Sequence, residues 1–256
     1  MAQESLNQKS KSVNSERKTL KAALYLIPVT LGETPLSKVL PSYNLEVIKN
    51  IKDFIVENTK SARRFLAQVD SSLPIETFNF VELNEHTDLK TIGNYLQPIE
   101  KFKRPVGVIS EAGCPAVADP GAAVVEMAQR KSIPVIPLVG PSSMIMAVMA
   151  SGFNGQSFAF NGYLPVKQNE RAAKIRQLEN RSYKENQTQL FIEAPYRNAK
   201  MFETILQTCS GETKLCIACG ITTDKEYIRT HTIAEWKKLP VPEINKIPAI
   251  FLIYKN

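Results

Sequence analysis

Three loops of this 256-residue chain place glycine and proline directly after an apolar run: 28–33 (PVTLGE), 110–121 (SEAGCPAVADPG) and 139–143 (VGPSS). Glycine lets a backbone approach a ligand closely, and proline fixes a turn without offering a donor. At the carboxyl ends of strands in an open α/β sheet, such loops hold a ligand by shape. No G-x-G-x-x-G follows the first apolar run and no G-x-x-x-x-G-K-[ST] occurs, so the dinucleotide and nucleoside triphosphate fingerprints are missing. Cys216-x-x-Cys219 has the spacing of half a zinc site. It lies in the apolar run KLCIAC, and the chain offers only His86 and His231 beside it, so the pair reads as buried strand thiols and no metal is expected.

The elements that must position these loops follow from periodicity. Short β-rich runs at 22–27, 53–57, 76–80, 106–110 and 134–138 alternate with helical patterns, which is the rhythm of a parallel sheet covered on both faces. Thr34 before Pro35 and Asp119 before Pro120 read as N-caps. A further helix starts at 140–143 and ends at Ser151-Gly152. The second half carries strands at 157–164, 188–193, 214–219, 226–233 and 248–254, with helices near 169–180 and 197–209. Fewer helices separate its later strands, which predicts a mixed sheet. The expected organisation is a disordered polar tail over 1–19 and two tandem α/β domains, 20–139 and 140–256. The first has a mainly parallel sheet and the second a mixed one, with the site in the cleft between them.

Hydrophobic residues make up 43% and charged residues 22%, close to the average for soluble proteins. No apolar run approaches the roughly 20 residues of a membrane helix. The tail lacks the apolar core of a secretory signal, and the four cysteines show no secreted disulfide framework, so a cytoplasmic location is expected. Residues 1–19 hold four Lys or Arg and two Glu, supplying +2 of the formal +7 and leaving +5 on the body. That surplus favours a polyanionic partner, because neutralised phosphates release condensed counterions.

Several motifs in order resemble one family. ISEAGCPAVADPG (109–121) is similar to S-D-A-G-T-P-x-x-x-D-P-G, and PLVGPSSMIMAVMASGF (137–153) to P-L-P-G-P-x-x-x-x-x-A-L-x-x-[SA]-G-L. FNGYLP (160–165), FIEAPYR (191–197) and TTDKEYIRTHTIAEW (222–236) match further family motifs, as does the closing strand, IPAIFLIYKN (247–256). The chain thus resembles the tetrapyrrole methylase-like S-adenosylmethionine-dependent methyltransferases, and within them the branch that methylates a ribose 2′-hydroxyl of small-subunit ribosomal RNA.

The resemblance implies two α/β domains with the donor S-adenosylmethionine folded between them, in a homodimer acting on ribosomal RNA or the small subunit. Carried over by motif, donor contacts fall on Leu31, then on Gly113, Cys114 and Val117, and on Ser142 and Ser143 at the linker. Phe191, Ile192, Ala218, Pro248, Ala249 and Ile250 close the pocket from the second domain. A hydroxyl acceptor must lose its proton, and Glu111, Asp119, Glu193 and His86 are the groups available for that, with Glu193 and Glu111 taken as catalytic. Lys60, Arg63, Arg64 and Arg197 are basic residues placed to bind substrate phosphates; Tyr163 and Tyr196 are aromatics that could stack a base.

The chain departs from the family pattern in places. The glycine-asparagine turn after the first strand is PVTLGE, the E-D-T-R motif is Glu57-Asn58-Thr59-Lys60, and the aspartate of S-D-A-G is Glu111. Lysine cannot reproduce an arginine fork. Two other readings therefore stand beside RNA methylation: transfer to a small, tetrapyrrole-like acceptor, or donor binding with weakened catalysis. Cys114 stands where the small-molecule group carries aspartate, which favours RNA.

Overall fold

The computed structural model describes residues 20–84, 87 and 91–256; segment 1–19 and His86 lie outside the described residues. The first sheet comprises Leu24–Ile27 (β1), Asp53–Val56 (β2), Asn79–Glu82 (β3), Val106–Ile109 (β4) and Val135–Pro137 (β5). Its order is β3-β2-β4-β1-β5, and every pairing is parallel. Parallel sheets need cover on both faces, which is why β2 and β4 are buried along their whole lengths.

One face carries Leu36–Val39 (α1), Ser42–Ile48 (α2) and Thr59–Val69 (α3), packed on Tyr25, Ile27, Phe54 and Val56. The other carries Ile92–Tyr95 (α4), Gln97–Phe102 (α5) and Gly121–Arg130 (α6), over Leu24, Ile55, Val106 and Val108. In α3 the buried positions are Ala62, Phe65, Leu66 and Val69, the i, i+3, i+4, i+7 stripe of an amphipathic helix. Each large apolar side chain buried this way contributes about 1.5–3 kcal/mol.

After β5 the chain passes to Ser143–Ser151 (α7), whose Ala147 packs with Leu190, Cys216, Ala218 and Leu252 on the second sheet. That sheet comprises Phe158–Tyr163 (β6), Thr188–Ile192 (β7), Lys214–Cys219 (β8), Tyr227–Thr232 (β9) and Ala249–Tyr254 (β10), in the order β6-β7-β10-β8-β9. β6 and β7 are parallel, while β10 runs antiparallel to β7 and β8, and β8 to β9, so the sheet is mixed. Gln168–Glu185 (α8), Asn198–Thr208 (α9) and Ile233–Trp236 (α10) cover its other face. Cys216 and Cys219 are both buried, one facing the α7 side and the other the α8–α10 side. Three residues apart on a strand, they cannot bind one ion.

Local expectations shift in three places. The strand expected at 76–80 is found at Asn79–Glu82, because residues Ile75–Thr77 after Pro74 close a 3-10 turn first. Thr34 does not cap α1, whose N-cap is Pro35; its hydroxyl instead donates to the Thr222 carbonyl at 3.1 Å, across to the second sheet. Asp119 is not the N-cap of α6, since Pro120 is already helical there; its carboxylate accepts from Gly121 N at 2.7 Å and from Ala116 N at 2.8 and 2.9 Å.

Candidate functional site

The loops after β1 and β4 and the linker after β5 rise from one edge of the first sheet. Their sequence glycines act by close approach. Gly113 adopts φ +69°, and its carbonyl accepts from Val29 N at 3.0 Å, tying the second loop to the first. At Gly140 a Cβ would overlap the ring of Pro28, so the linker presses on the first loop only because it carries glycine. Buried Asn44 on α2 anchors the same linker by donating to the Val139 carbonyl at 2.7 Å. Asn44 gives no signal in the sequence beyond being polar on an otherwise apolar helix face.

Between these loops and the matching edge of the second sheet lies a cleft of about 720 Å³. Its first wall is Leu31, Gly32, Glu33 and Ala112, with Ser143 from the start of α7. Ile192 and Glu193 at the end of β7, Ala218 and Gly220 at the end of β8, and Pro248, Ala249 and Ile250 at the start of β10 form the second. Because β10 is antiparallel to β7 and β8, its beginning meets their ends at one edge. Tyr163 and Pro195 stand at the mouth, and Thr223, Asp224, Lys225 and Lys246 ring it.

The two walls touch at one end. Lys38 Nζ donates to the Thr222 carbonyl at 2.9 Å beside the Thr34 hydroxyl, and a Cβ at Gly32 would come within 2.7 Å of Thr223 Cγ2. Thr222 itself sits at φ +72°, a left-handed conformation that costs a β-branched residue about 1–2 kcal/mol. Its N–H is held by Glu226 at 2.7 Å.

The structure distributes the sequence-derived residues unevenly. Leu31, Ser143, Ile192, Ala218, Pro248, Ala249, Ile250 and Glu193 come together on the cleft. Gly113, Cys114, Val117 and Ser142 do not line it. Cys114 Sγ donates to the Pro141 carbonyl at 3.4 Å, and burial pushes its thiol pKa up, so it braces loop to linker. Val117 is exposed on the loop, and Ser142 caps α7 through Ile145 N. The Phe191 side chain stacks on Phe251 in the core, by strand alternation, and does not line the cleft.

Glu193 is 3% exposed. Its Oε1 accepts from Ala194 N at 2.7 Å and from Arg197 Nε and Nη2 at 3.0 and 2.6 Å, while Oε2 is buried and has no partner. The Arg197 guanidinium, its pKa raised first by that carboxylate, also lies 4.9 Å over the Tyr196 ring. Arg197 is therefore engaged with Glu193 and Tyr196.

Glu111 lies off the cleft, in an adjoining recess of about 340 Å³ that shares Leu31, Gly32 and Glu33 with it. It accepts from Ser61 Oγ at 2.6 Å, and its N–H donates to Glu57 Oε1 at 3.1 Å. Burial, then the nearby charges of Asp119 and Glu111, hold the Glu57 pKa above the usual carboxylate range, against the lowering effect of that N–H. Burial likewise raises Asp119, opposed by its bonds to Gly121 and Ala116.

Among the α3 residues, Arg64 faces the recess. Arg63 instead pairs with Glu76 at 3.6 Å and lies over Phe80, and Lys60 is exposed at the helix start. Asn58 caps α3, accepting from Lys60 N at 2.9 Å and Ser61 N at 3.2 Å. Its departure from the family aspartate therefore falls at a capping position, where Asn and Asp serve equally. Thr223, Asp224, Lys225, Lys246 and Gln68 are site-lining residues that the sequence did not single out. Lys225 sits inside the recognisable 222–236 motif, but nothing in the sequence marks Lys246.

No protein-family model matches the chain. It is 31% identical over 208 residues to a Thermotoga maritima protein named ribosomal RNA small subunit methyltransferase I, covering 79% of this chain and 88% of the relative. A Vibrio cholerae protein of the same name is 28% identical over 83% of this chain and 69% of its own length. Among solved structures, the methyltransferase CobJ aligns with a TM-score of 0.59 at 13% identity, over 91% of this chain and 94% of its own. The uroporphyrin-III C-methyl transferase of Thermus thermophilus complexed with S-adenyl homocysteine aligns at 0.53 with 16% identity, over 91% and 97%. At such identities the likeness shows a shared fold.

Proposed function

The chain belongs to the ribosomal RNA small subunit methyltransferase I family, and from that premise we propose that it transfers a methyl group from S-adenosylmethionine to a ribose 2′-hydroxyl of small-subunit ribosomal RNA. The cleft where the strand ends of both sheets converge carries this reading. Its volume of about 720 Å³ falls in the roughly 300–1,000 Å³ range of small-ligand sites.

The residues present fit the donor. Ala112, Ala218, Gly220 and Ala249 leave room for a nucleoside against backbone, with Ile192 and Ile250 as apolar flanks. The buried, unpartnered Glu193 Oε2 is an acceptor for a donor N–H. Asp224, Lys225 and Lys246 at the mouth offer charges of both signs for an amino acid moiety. S-adenosylmethionine supplies an electrophilic methyl group on its sulfonium.

The chain's task is then orientation, which in ideal models contributes roughly 7–11 kcal/mol, and removal of the acceptor proton. Of the two proposed catalytic carboxylates, Glu193 has Oε1 committed to Arg197, so we assign it to holding the donor. Glu111 is exposed, with one oxygen on Ser61 and the other free among the described residues, and is assigned to accept the 2′-hydroxyl proton.

A homodimer and a cytoplasmic location belong to the same reading. The exposed apolar side chains of Val139, Ile145 and Met149 on the linker and α7 support the first, and four free cysteines support the second. No helix among the described residues is long and apolar enough to cross a membrane.

Calorimetry with S-adenosylmethionine, followed by tritiated-methyl transfer to small subunits from cells lacking the protein, tests the proposal. Binding with labelled RNA is expected. Binding without labelled RNA would point to a small-molecule acceptor or a non-catalytic donor-binding protein.

A further inference from the structure

The recess beside the cleft has a composition unlike the cleft itself. Its floor is apolar, built from Val29, Ala62, Phe65 and Ile109, and its rim is polar. One turn-by-turn stripe of α3, Ser61, Arg64 and Gln68, forms one side of that rim at i, i+3 and i+7. Glu111, at the end of β4, forms the opposite side and is joined to Ser61. Neither Arg64 nor Gln68 makes a hydrogen bond or ion pair among the described residues, whereas neighbouring Arg63 is already paired with Glu76. An apolar floor, an amide with donors and acceptor, and an unpaired guanidinium match the three parts of a nucleotide: base face, base edge and phosphate.

We propose, building on the methyl-transfer reading, that this recess is the subsite for the acceptor nucleotide of the RNA. The base lies on Phe65 and Ala62, Gln68 bonds its edge, and Arg64 grips an adjacent phosphate. The recess and the cleft share only Leu31, Gly32 and Glu33, so a nucleotide seated here brings its ribose beside Glu111 and to the border of the donor cleft. Arg64 and Gln68 are thus positioning residues for the acceptor and make no contact with the donor.

The test is filter binding of wild type and Arg64→Gln to small subunits from cells lacking the protein, across a salt series, with S-adenosylmethionine affinity measured in parallel. Arg64→Gln is expected to weaken subunit binding about tenfold, as loss of one charge-assisted contact does. The slope of log K against log salt should become shallower by about 0.7, the share of one phosphate on a single strand. Donor affinity should stay unchanged, and Gln68→Ala should weaken binding without altering the slope. Arg130→Gln, which removes equal charge from a residue paired with Glu126 on α6, should leave both within twofold.

Unchanged binding and slope in Arg64→Gln would overturn the subsite, and labelling of RNA by the wild type would leave the methyl-transfer reading intact. A shallower slope with no labelled RNA would keep the recess as an RNA grip and overturn the transfer reading instead. Failure of the wild type to bind subunits would overturn both.

Discussion

Arg197 places both Nε and Nη2 on a single oxygen of Glu193, at 3.0 and 2.6 Å, and leaves the other oxygen buried without a partner. A side-on pair would have satisfied both oxygens. This arrangement places the cation on one oxygen and leaves the other unsatisfied among the described residues.

The two halves of that pair are not equivalent. The Glu193 side chain is fully buried while that of Arg197 is 26% exposed, so water can serve the guanidinium but not the carboxylate. Arg197→Ala is expected to destabilise the fold, because it leaves the buried Glu193 carboxylate without its counter-charge. Glu193→Gln should destabilise less and chiefly weaken donor binding. Urea denaturation of both variants checks the order, and equal losses would contradict it.

The 113–118 turn stores strain. Ala116 and Ala118 lie at φ +65° and +60°, and Asp119 holds the Ala116 N–H with both oxygens. Glycine removes the left-handed penalty, so Ala118→Gly should stabilise the protein by about 1 kcal/mol. Asp119→Ala should destabilise it by about 1–3 kcal/mol, since it orphans half-buried N–H groups. Thermal melts of both variants give the signs, and a destabilised Ala118→Gly would rule out strain there.

Gly140→Ala is expected to cost about 1–3 kcal/mol, the usual penalty of overpacking, because its methyl group meets the Pro28 ring. The linker carries Ser143 on the cleft, so donor affinity measured by calorimetry should fall with it. A variant with wild-type affinity would mean that the linker yields freely.

Glu57 supplies a pH-dependent effect. Its folded pKa is raised, so between its unfolded and folded values the native state binds more protons than the unfolded chain, and stability falls as pH rises through that window. Glu57→Gln keeps an acceptor for the Glu111 N–H and removes the buried charge. Its melting temperature should match wild type near pH 4, about the ordinary glutamate pKa, and exceed it at about pH 7. A difference that does not change with pH would exclude this origin.

Much of the scaffold could be read from the chain because it depends on local rules. Short β-rich apolar runs marked both sheets, and the Ser142 cap and Gly152 terminus bounded α7. The strand near residue 79 was displaced because Ile75–Thr77 first close a 3-10 turn after Pro74, which the apolar and β-branched residues of 75–80 do not announce. Thr34 looked like a cap because its competing partner, the Thr222 carbonyl, is 188 positions away in sequence.

By itself the sequence determined which turns pack closely, Gly113 through its positive φ and Gly140 through its contact with the Pro28 ring, and it determined the alternation of strands and helices that sets those loops at one edge. Only the tertiary structure decided the division of labour among the charged groups. Whether Arg63 or Arg64 is free and whether Glu193 or Glu111 lines the cleft depend on partners such as Glu76, Arg197 and Ser61. Long-range pairing of long, rotatable side chains is set by packing between distant segments, and no local periodicity encodes it.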